Sequence, residues 1–288
     1  MKRFCVALFV VWLSVLGFAQ MPEDNINSEI DFAFHLFDQR MFDDLLVLFE
    51  QMSPEIRQTD SINHILGMAY YYRKELERSA YHLSKVSKNS VFYDKSIFFM
   101  ALCHAHLGEY SNAEAILENY SAELTTTDFD ELLAVNFAGL ALLRRDFETF
   151  DRHAKGFRFE RHYYTNSQNQ LLGVRETLSD HRRKSPVVAG MLSAIVPGAG
   201  KVYAGQLGEG VAAFLTVGSF AAITAENWVK NGLLDWKTLL FGTIGTVFYI
   251  GNIYGSVASV QFYRNQFNES QNITILLGVH LPIRAVFR

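Results

Sequence analysis

The 288-residue chain holds only two cysteines, Cys5 and Cys103. Cys5 lies early in an apolar N-terminal run and has no lipoprotein box around it. Once that run is removed Cys103 stands alone, which excludes an intrachain disulfide and leaves no paired cysteines for a metal. Motifs for chemistry are missing as well. There is no Gly-x-Ser-x-Gly, and Gly198-Ala199-Gly200-Lys201 has neither the Gly-x-x-x-x-Gly-Lys spacing nor the following hydroxyl residue of a phosphate loop. His104 and His106 stand about 200° apart around a helix and cannot share one ion, which needs i,i+4 spacing. Asp43-Asp44 and Asp128-x-Asp130-Glu131 read as helix starts or solvated faces. The net charge of −4 supplies no attraction for nucleic acid. One basic-aromatic cluster, Arg152 to Arg161 with Phe157, Phe159, Tyr163 and Tyr164, reads as a surface near a membrane or a partner. The chain is therefore expected to be non-catalytic, without metal or cofactor.

What is present is periodicity. Ala33, Gly67, Ala101 and Ala138 are equivalent positions separated by 34, 34 and 37 residues. Three residues on stand Leu36, Tyr70, His104 and Ala141; nine on, Phe42, Leu76, Tyr110 and Phe147. Twelve on come Leu45, Ser79, Ala113 and Phe150, and sixteen on Phe49, Leu83, Leu117 and Ala154. Small residues at fixed places let two helices approach, and bulky ones fill the space between hairpins. One hairpin cannot bury its apolar face alone, so several must stack. Thr125-Thr126-Thr127 accounts for the longer last interval as an extended loop.

The period, and the stretch Lys95 to Tyr120 with Ala101, Gly108, Tyr110, Ala113 and Leu117, resembles the tetratricopeptide-repeat family. The chain departs from that pattern in lacking its early Trp in every copy, in carrying Lys74 where the central glycine belongs, and in placing Leu45 and Phe150 where a small residue is usual. The resemblance implies a helical-hairpin solenoid over residues 27–182, closed by a polar helix from about Asn166. It also implies a concave face that holds another protein. The family's groove positions, carried onto this register, fall on Asp38, His64, Met68, Tyr71, Lys95, Phe98, Leu102 and His106.

Residues 1–19 read as a secretory signal peptide: Lys2-Arg3, an uncharged apolar run from Phe4 to Phe18, then Gly17 and Ala19 at small-residue places. An uncleaved anchor is the alternative, and both readings export the repeats. After Arg182-Arg183-Lys184-Ser185-Pro186 charge becomes sparse. Leu239–Val260 and Gly210–Ala225 are uncharged and read as two membrane spans, the second barely long enough. Val187–Gly200, broken by Pro197, reads as an interfacial or re-entrant helix, with a third span as the alternative. Gly251, Gly255 and Ser259 on one span, and Gly218 with Ala222 on the other, have the small-xxx-small spacing of close helix contacts, between the two spans or in a homo-oligomer. Pro197-Gly198-x-Gly200-x-x-Tyr203-x-Gly205 resembles the motif that opens small bacterial two-span membrane domains. Its proline ends a helix, its glycines permit a tight turn, and Tyr203 is expected to set its hydroxyl at the headgroup level. The membrane domain is placed at 185–264.

In the remaining segment, 265–288, Ile273, Ile275, Leu277, Val279, Leu281 and Ile283 alternate with Thr274, Gly278, His280 and Arg284. This predicts a strand needing a partner, or else a loose apolar tail on the membrane. The expected whole is an all-α chain: a tetratricopeptide-like solenoid, a transmembrane helical hairpin and a short C-terminal strand or tail. The expected role is an adaptor of the bacterial cell envelope, anchored in the inner membrane with its repeats in the periplasm, binding an envelope protein and the lipid bilayer but no nucleic acid. In the alternative the membrane hairpin assists insertion, transport or assembly, and the repeats recruit.

Overall fold

The computed structural model describes residues 23–124, 126–181 and 184–288, so the expected signal peptide lies outside the described residues, as do Arg182 and Arg183. Among the described residues the chain is all α, with no strand. Four helix pairs come first: α1 (Glu23–Asp38) with α2 (Phe42–Gln51), α4 (Asp60–Tyr72) with α5 (Leu76–Leu83), α6 (Tyr93–His106) with α7 (Tyr110–Glu123), and α8 (Asp130–Leu143) with α9 (Phe147–His153). A single turn, α3 (Pro54–Arg57), joins the first pair to the second. Each pair packs internally, α5 packs on α6 and α7 on α8, and the first helices touch in sequence, α1 on α4 and α4 on α6.

The small residues are where the helices cross. Ala33, Gly67, Ala101 and Ala138 are all buried, as are Leu45, Ser79, Ala113 and Phe150. A methyl group added to Gly67 would lie 2.5 Å from Leu83 Cγ, so the second pair needs glycine where the other three tolerate alanine. Ser79 Oγ donates to the Gly67 carbonyl at 2.7 Å, and the buried Cys103 thiol donates to Ser79 Oγ at 3.3 Å. Burial pushes the Cys103 thiol up to about 11, which suits a packing role and not a reactive one.

The pairs also close alike. Seven residues past each crossing point, Arg40, Lys74, Gly108 and Arg145 have φ of 59°, 63°, 79° and 62°. The following amide reaches back to the same carbonyl each time: Met41 to Leu36, Glu75 to Tyr70, Glu109 to His104 and Asp146 to Ala141, all at 2.9 Å. This is a helix C-cap of the Schellman type. It demands a left-handed residue, and three of the four copies place a long side chain there in place of glycine.

After α9 the chain turns through Phe157 into α10 (His162–Asp180). Glu131, read as part of a helix start or a solvated face, stands in the first turn of α8 but is buried, accepting from Gln168 Nε2 at 2.7 Å and from the Arg158 amide at 3.4 Å. The aromatic members of the basic cluster divide: Phe157 and Tyr164 are core residues, Tyr163 is half-buried and Phe159 is exposed.

The chain divides into two compact units, one running to Gln168 and taking in Gly278–Arg288, the other Asn169–Leu277. The second contains α11 (Pro186–Ile195), α12 (Ala199–Ala204), α13 (Leu207–Asn231) and most of α14 (Trp236–Val286). Among the described residues α13 alone is long and apolar enough to cross a membrane. The span expected over 239–260 lies inside α14, where Asn252, two tyrosines and several threonines and glycines dilute its apolarity.

The C-terminal strand is overturned. Residues 265–286 continue α14, with Pro282 inside the helix. The alternation misleads because its six members form two interleaved i,i+4 stripes. Ile275, Val279 and Ile283 are buried, whereas Ile273, Leu277 and Leu281 are about half exposed. A period of two and a period near four share every second residue.

Lys74→Gly is expected to raise stability by about 0.5–1 kcal/mol, since a side chain in the left-handed region costs more than the chain entropy of glycine. Gly67→Ala is expected to lower it, by about 1–3 kcal/mol for an overpacked core. Denaturant unfolding of the full chain in detergent checks both signs.

Candidate functional site

The final segment of α14 is bound against α4, α6 and Phe129, the residue before α8. His280 lies edge-on to Tyr71, with ring centroids 5.7 Å apart, and to Phe99 at 6.2 Å. Its Nε2 is 3.4 Å from the Tyr71 hydroxyl. Seven residues on, Phe287 stacks on Phe129 at 5.6 Å and tilts against Phe98 at 5.6 Å. Val279, Pro282 and Ile283 are buried on the same segment. A helix of two turns thus lies along α4, α6 and the residue that starts α8.

The eight groove positions expected from the repeat register divide three ways. Tyr71 and Phe98 touch the C-terminal segment, and His106 acts on His280 electrostatically. His64, Met68 and Leu102 are packing residues: His64 Nδ1 is 2.8 Å from Ser96 Oγ and its ring stacks on Phe92 at 4.7 Å. Burial, then the Lys95 charge, holds the His64 imidazole down to about 3, so it stays neutral. Asp38 is exposed at the end of α1, and Lys95 is half-buried on α6. His104 Nδ1 lies 2.6 Å from Glu109 Oε2. Sequence reading missed Phe99, Phe129, His280 and Phe287; the i,i+4 spacing of Ile275, Val279 and Ile283 marks a helical stripe near the last two but does not say what it packs on.

The motif of the second unit is also built from packing. Ser185 caps α11, and its amide donates to the Tyr203 hydroxyl at 3.0 Å. That hydroxyl therefore closes a helix end and does not stand free for headgroups. Pro197 ends the segment, and Gly198 and Gly205 both adopt positive φ, at 86° and 98°. A methyl at Gly198 would strike the Gly210 carbonyl, and one at Gly200 the Ala189 carbonyl, so α12 can fold back only with glycine at both. The freed amides are met by side chains: Gly198 donates to Asn252 Oδ1 at 3.2 Å and Gly200 to Ser193 Oγ at 2.9 Å, with Ser193 Oγ 2.6 Å from Ser256 Oγ. All three side chains are buried. A cavity of about 470 Å³ lies beside them, lined by Lys201, Glu209, Thr216, Phe248 and Asn252 among others.

Within one chain, α13 and α14 do not make the close contact expected at Gly218 and Gly251. Methyl groups at Gly218 or Gly251 would meet nothing within 4 Å, so the helices do not meet there. They meet at Gly242 against Thr224 and Gly245 against Phe220, where Phe220 also stacks on Phe248 at 5.3 Å. Gly255 lies 3.4 Å from Lys201 Cε by the same measure, and Ser259 is buried with its hydroxyl on the Gly255 carbonyl. No family model, curated protein or solved structure matches the chain.

Burial, then Arg284 and His106, holds the His280 imidazole down to about 4, against an ordinary value of about 6.5. The docked segment thus binds fewer protons than the free one. Its docking is at full strength above about pH 6.5 and weakens toward pH 4, by at most about tenfold per pH unit. Amide exchange of residues 278–288, corrected for intrinsic rates, should accelerate over that window, and His280→Asn should flatten the profile.

Proposed function

We propose that the chain is a membrane-anchored, non-catalytic adaptor of the bacterial cell envelope, whose repeats form a tetratricopeptide-like solenoid that holds another protein on the face made by its first helices. The observation that carries this reading is the recurrence of one left-handed turn at Arg40, Lys74, Gly108 and Arg145, in register with the buried small residues. Local sequence differs at those four turns, yet the backbone solution is the same, as stacking of equivalent hairpins requires.

The membrane part of the proposal is a two-span hairpin, α13 and the first half of α14. Support comes from the C-terminal segment. It packs on α4, α6 and Phe129, so it lies on the same side of any bilayer as the repeats. An even number of crossings must then separate Gln168 from Gly278. If α13 crosses, the chain has to cross back, and the apolar start of α14 is the stretch that follows. A helix of 51 residues is about 76 Å long at 1.5 Å per residue, enough to cross some 30 Å of hydrocarbon and continue beyond it. The signal-like N-terminus then puts the repeats and the C-terminus together in the periplasm, with the anchor in the inner membrane.

A second reading keeps the membrane hairpin as the working part. The buried Ser193, Asn252 and Ser256 cluster and its neighbouring cavity favour it, because polar side chains are costly inside a bilayer unless they serve packing or transport.

Single cysteines placed at residue 288 and at exposed Asp38 should react with a membrane-impermeant maleimide from the same side in intact spheroplasts. Labelling from opposite sides would end the two-span proposal. Photo-crosslinkers at Asp38 and His106 should capture one envelope protein in cells, and Tyr71→Ala should abolish the capture; unchanged capture counts against the adaptor. Asn252→Leu that spares capture but removes the cellular phenotype would favour the hairpin instead.

A further inference from the structure

We infer that the face formed by α4, α6 and the start of α8 is a site for an amphipathic α-helix, that Gly278–Arg288 fills it in the resting chain, and that a partner enters by presenting a helix of the same pattern in place of this segment. The inference rests on the adaptor reading for its biological meaning, but its chemistry stands on the contacts. The occupant shows what the face accepts. It is helical, it buries aliphatic side chains four apart at Val279 and Ile283, and it sets rings seven apart, His280 and Phe287, into two aromatic clefts. Seven residues of helix rise about 10.5 Å, which fixes the distance between the clefts. This is recognition of a helix by a groove, read as anchors at i, i+4 and i+8.

The occupant is also built to be replaced. Pro282 removes one main-chain hydrogen bond from the last turns of α14. The Tyr71–His280 hydrogen bond is long, at 3.4 Å. Arg284, on the segment itself, is the charge near His280, and His106 faces it from the groove with an imidazole that burial holds neutral. The partner is therefore a protein with an exposed amphipathic helix that repeats the aliphatic and aromatic anchors on one side.

The probe is a fluorescein-labelled peptide of residues 278–288, together with the same peptide carrying His280→Glu. Each is titrated by fluorescence anisotropy against the full chain in nanodiscs, against full chain with Phe287→Asp, and against chain ending at Leu277. The inference expects weak binding to the unaltered chain and at least tenfold tighter binding to both opened forms. It also expects the glutamate peptide to bind more weakly than the native one, because it buries a carboxylate between the Tyr71 and Phe99 rings, and Tyr71→Ala in an opened chain to abolish binding. Equal affinity for the unaltered and opened chains would overturn it, as would no binding to an opened chain whose circular dichroism and thermal transition are intact. If the crosslinked envelope partner is captured equally with and without Phe287→Asp, the displacement model fails while the adaptor reading stands. If peptide binds as expected but no partner is ever captured, the adaptor reading fails and the helix site remains.

Discussion

The docking of the C-terminal end of α14 on the first helices of the repeats is the contact on which the rest of the structure turns. It brings Gly278–Arg288 into one compact unit with the helix pairs. It covers aromatic residues on α4, α6 and before α8 that would otherwise face water as a continuous apolar strip. The contact is made of rings and aliphatic groups, with one long hydrogen bond and no strong directional tie. Such a contact is sufficient to order a segment that is already helical, because α14 brings it in with its backbone cost met.

The repeats themselves are held by a different logic. Their crossings depend on side-chain size at a few positions, with Gly67 under Leu83 as the tightest, and their turns depend on backbone conformation. Ion pairs decorate the surface of these joints: Arg73 reaches Asp43 and Glu75, and Arg144 meets Glu114. The Arg73 pairs reach solvent and add little to stability, whereas Arg144 and Glu114 are half-buried and paired through both oxygens; alignment of the hairpins rests mainly on packing. The second unit reverses the proportions. Its tight turn is set by glycines that fit under backbone carbonyls, and the amides this frees are met by Asn252 and Ser193, with Ser256 against Ser193.

The order of helices, their pairing and the buried small residues were legible because period and size pattern are properties of neighbouring residues. Lys74 was legible only as a departure from the glycine at Gly108; that it takes the same left-handed conformation is a decision of the packed hairpin, which overrides the local preference. The fate of residues 273–283 was not legible by alternation, since that pattern contains a helical stripe within it. His64 and Met68 were assigned to the groove from register alone, although the tight approach of α4 to α6 turns both inward. Most of all, no local signal shows that the groove's occupant lies two hundred residues away in the same chain.

Chain order gives this arrangement a direction in time. Synthesis makes the helix pairs before residues 278–288, with Asn169–Leu277 between them. At ordinary elongation rates of about 5–20 residues per second, that interval lasts roughly 5–20 s. Throughout it the newborn scaffold carries an uncovered aromatic strip, and only the emergence of residues 278–288 closes it. A protein truncated by premature termination anywhere in that stretch would leave the ribosome with the strip permanently bare, a distinction that quality-control machinery attuned to exposed apolar surface can read.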